Sequence, residues 1–239
     1  MAYDTQLALV VPCNNEQEML PTTIEQLTAA LLRLIEKGSI GNGRIIFVDD
    51  GSTDNSWNII KQSAANNRMI SGIKLSHNVG HQNALWAGLE RAVAMQADAT
   101  ISIDADLQDD ISAIDEMLDA FHHGNDVVFG VRDNRQSDSF LKHFTAHSFY
   151  KFMASIGGEI IYNHGDFRLM SLRAMRALMQ FPERNMFVRG MVKSIGFPYT
   201  CVYYTRKERM AGSSKYPLTK MLNFAFVGIT SFSLKPLRF

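Results

Sequence analysis

Acidic residues run out before this chain ends. After Glu208 there is none, while Lys215, Lys220, Lys235 and Arg238 follow. Cysteine is scarce as well: Cys13 and Cys201 are too few for a disulfide framework, so a packed core must hold the fold, which suits a reducing compartment. No apolar run reaches the roughly 18–20 residues of a membrane-spanning helix. The apolar residues 7–11 are too few, and lack the basic flank, to form a signal peptide. Neither a Gly-x-x-x-x-Gly-Lys-Ser/Thr loop nor a Gly-x-Gly-x-x-Gly turn occurs, which disfavours a P-loop or dinucleotide site. Internal repeats and low-complexity tracts are absent too. With 46% hydrophobic residues over 239 positions, the chain can build a substantial core.

The formal net charge of zero conceals a division. Residues 1–166 carry 22 acidic and 11 basic side chains, whereas residues 167–239 carry 2 acidic and 13 basic. A basic region of this kind addresses phosphates, whether of nucleotide, nucleic acid or anionic lipid.

Apolar runs and helical spacings alternate through the first half. Strand signals fall at residues 7–11, 44–48, 70–75, 99–103 and 126–131. Helical periodicity falls at 18–37, 54–66 with Asp54 as its cap, 80–97 and 111–123. This order predicts βαβ units and a mostly parallel sheet with helices on both faces. Beyond it, residues 140–156 read as a helix with His143, His147 and Lys151 recurring every four residues on one face. Residues 166–170 and 199–205 read as strands, and 171–180 and 186–195 as helices.

The strand at 99–103 ends in Asp104-Ala105-Asp106, followed by Leu107-Gln108-Asp109-Asp110. Ligands of open α/β sheets bind at the carboxyl ends of strands, and Mg²⁺ takes one or two carboxylates plus substrate phosphates. Two readings are open for the turn on its own: a metal holding a diphosphate, or a polar cap for the next helix. Two other strand ends favour the first. One is the polar loop Pro12-Cys13-Asn14-Asn15-Glu16 and the other is Asp49-Asp50. Three such ends on one edge read as a nucleotide-binding crevice.

These segments, with Asn78-Val79-Gly80-His81-Gln82, resemble the family 2 glycosyltransferases in order and spacing. Gly165-Asp166-Phe167-Arg168-Leu169, Phe187-Val188-Arg189-Gly190, residues 211–217 and residues 228–238 narrow the resemblance to the polyprenyl-phosphate glycosyltransferases. That group includes bactoprenol glucosyltransferases and dolichol-phosphate mannose synthases. The resemblance implies a GT-A type, Rossmann-like single domain over residues 1–209, with a nucleotide half to about residue 135 and an acceptor half after it. A basic amphipathic segment, 210–239, would lie at the membrane interface.

Further implications of the resemblance concern single residues. Pro12, Asn14, Glu16, Asp49 and Asp50 would line the nucleoside pocket, with Asp104 and Ala105 beside the diphosphate and Arg132 and Lys215 reaching its phosphates. Asp104, Asp106 and Gln108 would hold Mg²⁺ or Mn²⁺. Asp166 and Asp106 would stand nearest the transfer chemistry, and His143, His147 and Arg189 would meet the acceptor phosphate. The implied reaction moves a sugar, with inversion, from a nucleotide diphosphate (UDP-glucose before GDP-mannose) to a polyprenyl phosphate such as undecaprenyl phosphate. It would take place on the cytoplasmic face of the membrane, without nucleic acid. Relatives continue into C-terminal transmembrane helices, and the apolar tail is a candidate for self-association. Asn14 stands where relatives often carry an aromatic residue, and His143 where many carry Arg.

Several residues have plainer expectations. His81 reads as a structural cap at a helix start, and Asp109 and Asp110 as helix-dipole acids. Trp57 and Trp86 read as core aromatics, and Arg173 and Arg176 as a solvated helix face. Two other functions compete. A phosphohydrolase with Asp104 as nucleophile would carry Thr or Val where Gln108 stands, and a non-catalytic nucleotide-sugar-binding module would lack turnover.

Overall fold

The structure, a computed structural model, describes residues 2–133, 164–181 and 188–206. In chain order the described elements are β1 (Gln6–Cys13), α1 (Leu20–Glu36), β2 (Asn42–Asp49), α2 (Ser56–Asn66), β3 (Ile70–Lys74), α3 (His81–Ala94), β4 (Ala99–Ser102), α4 (Ala113–His122), β5 (Val127–Arg132), β6 (His164–Ser171), α5 (Leu172–Leu178), α6 (Val188–Ser194) and β7 (Tyr199–Tyr204).

The strands form one sheet in the order β3-β2-β1-β4-β6-β5-β7. All neighbours are parallel except β6, which runs antiparallel to both β4 and β5. Both sheet faces are covered, so β1 is apolar from Leu7 to Cys13 rather than alternating. Along β1, Leu7, Leu9 and Val11 pack with α1, α2 and α4, while Ala8 and Val10 pack with α3, α5 and α6. Each of these leucine and valine side chains, fully buried, contributes roughly 1.5–3 kcal/mol. Gly88 lets α3 lie close on the sheet, because a Cβ there would run into the side chain of Val10. Trp57 and Trp86 are half-buried at the margins of the two cores. Among the described residues no helix is long and apolar enough to cross a membrane.

Some local expectations are corrected. The first strand does not stop at Pro12; it runs to Cys13, because Pro12 pairs in register with Val48 and is buried. Asp54 is not the cap of α2. It accepts from the Ser56 amide at 2.9 Å, one residue outside the cap position that Asn55 occupies. The segment from 171 is a shorter helix than predicted, and Arg173, although exposed, is not merely solvated: it pairs with the buried Asp126. The helix expected at 140–156 and the segment 210–239 lie outside the described residues.

Candidate active site

Parallel strands place their carboxyl ends on one edge, and the antiparallel β6 brings its amino end to the same edge. Ser102 pairs with Arg168 across β4 and β6, so Asp104 and Asp166, each two residues further on, meet there. Two loops are laced together beside them. Asn15, at φ 54°, accepts from the Thr53 amide at 2.8 Å, and Asn14 donates to the Asp50 carbonyl at 2.7 Å. The Glu16 amide donates to Ser56 Oγ at 2.9 Å. Gly51 sits at φ +62°, and a Cβ there would strike the backbone of His77 and Asn78, so only glycine lets the β3–α3 loop come this near.

Asp50 spends its carboxylate on that loop. Oδ1 accepts from the Val79 amide at 2.7 Å and Oδ2 from the Gly80 amide at 3.1 Å. The next residue, His81, opens α3 with its ring turned to the carboxylates. Nε2 lies 3.2 Å from Asp166 Oδ2 and 3.6 Å from Asp104 Oδ1. The structural-cap expectation for His81 is thus corrected, since Gly80 is the cap position and makes no side-chain bond.

Asp166 is almost fully buried. Arg168, with no exposed surface at all, donates to its Oδ1 at 2.5 Å. Gln82 donates to Oδ2 at 3.2 Å and accepts from the Val188 amide at 3.2 Å, so α3 ties Asp166 to the start of α6.

The turn after β4 carries the densest negative charge. Burial pushes the Asp104 carboxyl up to about 6; His81 opposes this, while Asp109, Asp166 and Asp106 add to it. The Ala105 carbonyl accepts from buried Thr23 at 2.7 Å, and Asp106 accepts from the Gln108 amide at 3.2 Å. Between them Leu107 is held at φ 54°, a left-handed backbone that a branched residue adopts only under constraint. Gln108 Oε1 accepts from Arg206 at 2.6 Å. Asp109 is not a plain helix-dipole acid. It is buried, and its Oδ1 accepts from Tyr204 at 2.5 Å and from Arg132 at 3.4 Å. Asp110 keeps the expected role, bonding Ser112 at the start of α4.

A family model described as glycosyl transferase family 2 matches residues 8–179, which include Asp50, His81, Asp104, Asp106 and Asp166 but not Tyr204 or Arg206. The chain belongs to glycosyl transferase family 2. The glycosyltransferase YkoT of Bacillus subtilis (strain 168) is 51% identical over 234 residues, covering 98% of this chain and 69% of that protein. A prophage bactoprenol glucosyl transferase homolog of Escherichia coli (strain K12) is 38% identical over 234 residues, covering 98% of this chain and 74% of the other. In fold, this family 2 member is similar to glucosyl-3-phosphoglycerate synthase of Mycobacterium tuberculosis, solved with Mn²⁺, UDP-glucose and phosphoglyceric acid. The TM-score is 0.57 at 14% identity, over 95% of this chain and 79% of that one. The architecture is of GT-A type.

Within this glycosyltransferase, Asp104, Asp106, Arg132 and Asp166 gather at one edge with His81. Asn14 and Glu16 are half-buried on the neighbouring loops. Pro12 and Asp49 are buried, and neither Asp49 oxygen finds a hydrogen-bond partner among the described residues. Arg132 is tied to Asp109 and Tyr204, and Gln108 to Arg206, so neither stands as an uncommitted ligand. His143, His147 and Lys215 lie outside the described residues; Arg189 belongs to α6, but its side chain lies outside them too. Sequence reasoning missed His81, Gln82 and Arg168, although all three sit inside motifs that it quoted. It also missed Tyr204 and Arg206, for which no local signal existed.

Proposed function

We propose that this family 2 glycosyltransferase moves glucose from UDP-glucose to a polyprenyl phosphate at a membrane surface, using Mg²⁺ or Mn²⁺. The observation that carries the reading is the meeting of Asp104 and Asp106 with Asp166 and His81 at one sheet edge. Relatives named bactoprenol glucosyl transferases, alike over 98% of the chain, support the donor and acceptor.

The residues fit a hard divalent cation. Among the described residues no three His, Cys, Asp or Glu side chains form a ready cage. Mg²⁺-type sites need only one or two carboxylates, the rest coming from water and substrate phosphate. Asp104 and Asp106 supply these, and the burial that chiefly raises Asp104, with the repulsion its neighbouring carboxylates add, is what a cation would offset. Gln108, bonded to Arg206, is left out of that set. When bound, the ion supplies Lewis-acid stabilisation of the departing diphosphate.

The chain's own residues do the rest. Arg132 and Arg206 place fixed positive charge beside the Asp104–Gln108 turn. The acceptor phosphate forms the new bond to the anomeric carbon through its own oxygen as the nucleoside diphosphate leaves. A phosphate monoester has a second pKa near ~6 and is mostly dianionic at neutrality, so it needs no strong base. Asp166, with oxygens engaged by Arg168, His81 and Gln82, is suited to positioning the sugar or acceptor. Asp166→Asn is therefore expected to lower kcat by about 10²-fold, the cost of misplaced reactants, equally across the pH range. A loss confined to low pH, with a normal rate at high pH, would make Asp166 a base instead.

The reading itself is tested by transfer of radiolabelled sugar to undecaprenyl phosphate in detergent, comparing UDP-glucose, UDP-galactose, UDP-N-acetylglucosamine and GDP-mannose. Labelled lipid from UDP-glucose, with Mn²⁺ or Mg²⁺ and not with EDTA, is the expected result. Faster turnover of another donor, or none with the lipid, would overturn it.

A further inference from the structure

We propose that Asp109, gripped by Tyr204 and Arg132, is a positioning residue that sets the Asp104–Gln108 turn for the donor diphosphate. The inference deepens the function above and rests on the turn being the donor site.

Arg132 ends β5 and Tyr204 ends β7, and the two are partners in the parallel register of these strands. Their side chains reach from that edge of the sheet back to one oxygen. Tyr204 Oη donates to Asp109 Oδ1 at 2.5 Å, and Arg132 donates to the same oxygen at 3.4 Å and to Tyr204 Oη, through Nε, at 3.2 Å. Arg206, two residues beyond Tyr204, holds the adjacent Gln108 at 2.6 Å. Two consecutive turn residues are thus fastened to β5 and the end of β7.

The turn needs fastening. Leu107 immediately precedes them at φ 54°, a region that a non-glycine residue keeps only where its surroundings over-determine it. Asp109 is 2% exposed and Tyr204 4% exposed, so water cannot replace their bond. The Tyr204 ring is fixed independently, edge-on to Phe167 at 5.3 Å and 90°. Removing the hydroxyl alone therefore leaves the packing in place, while Asp109 keeps only the longer contact from Arg132. The loosened turn can relax Leu107, and Asp104 and Asp106 then lose their fixed direction.

The test measures UDP binding with Mn²⁺ by calorimetry, and donor and acceptor KM, for wild type, Tyr204→Phe, Asp109→Asn and Asp126→Asn. Asp126 sits before the opposite end of β5, buried and bonded to Ser171 at 2.7 Å and to Arg173. Its variant likewise alters a buried, hydrogen-bonded carboxylate, at the other end of β5 from Arg132. A hydrogen bond to a charged group is worth enough that Tyr204→Phe is expected to weaken UDP–Mn²⁺ binding by about tenfold. Donor KM should rise in parallel, acceptor KM should stay, and Asp126→Asn should bind as wild type. Should Tyr204→Phe not fold, Asp109→Asn is read in the same way. Wild-type affinity in the turn variants, or equal loss in Asp126→Asn, would overturn the proposal. Failure of the wild type to bind UDP with Mn²⁺ would overturn the donor-site reading itself.

Discussion

Asp106→Ala is expected to lower kcat/KM for sugar transfer by about 10³-fold, because a bound cation supplies several kcal/mol of charge stabilisation to the leaving diphosphate. Asp106 is half-buried, and its carboxylate accepts from the Gln108 amide at 3.2 Å within the turn. Removing it also relieves its repulsion of Asp104, and the melting temperature without ligand should move far less than the activity does. The paired measurement is UDP binding with Mn²⁺, which should fall with the activity. Asp106→Asn keeps the bond to the Gln108 amide but loses the charge, so it should resemble Asp106→Ala in rate. Activity within tenfold of wild type, still dependent on Mn²⁺, would remove Asp106 from the metal site and leave Asp104 to hold the ion with substrate.

Arg168→Met is expected to have the largest effect on stability. Arg168 is the largest fully buried side chain among the described residues, and it donates to buried Asp166 at 2.5 Å. Breaking such a pair by removing one partner costs about 3–5 kcal/mol, since the remaining charge stays buried. For a domain of this size that is a fall in melting temperature of roughly 6–20 °C, read by thermal denaturation. Adding Asp166→Leu should return much of the stability, because two apolar side chains replace two charges. It should not return activity, because Asp166 is then gone. A single Arg168→Met variant as stable as wild type would show that the pair contributes no net stability.

Both predictions turn on residues whose legibility differed. The Asp104-Ala105-Asp106 turn was readable because its signal is local: an apolar run stops and carboxylates follow. The sheet and its helices were readable for the same reason, through apolar strands and helical spacing over residues 7–131. Arg168 was not readable, because arginine inside an apolar strand looks like an exposed residue until a buried carboxylate is found two positions away on the same strand. His81, read from the sequence alone, shows only its place at a helix start. Its partners, Asp104 and Asp166, lie at two other strand ends that only the sheet order brings to it. Asp109 was given to the helix dipole because its partner, Tyr204, is 95 residues away.

By itself the sequence determined the family, the α/β alternation and the carboxylates at the strand ends, since each of these is written in short-range periodicity or in contiguous motifs. The tertiary structure decided which of those carboxylates gather at one sheet edge and which brace the neighbouring loops. Asp50 holds a loop, Asp109 holds a turn, and Asp104 and Asp106 are left at the edge with Asp166 and His81. The physical reason is that these roles depend on hydrogen bonds between distant residues. The antiparallel insertion of β6 and the register of β5 with β7 create those contacts, and no local pattern in the chain specifies them.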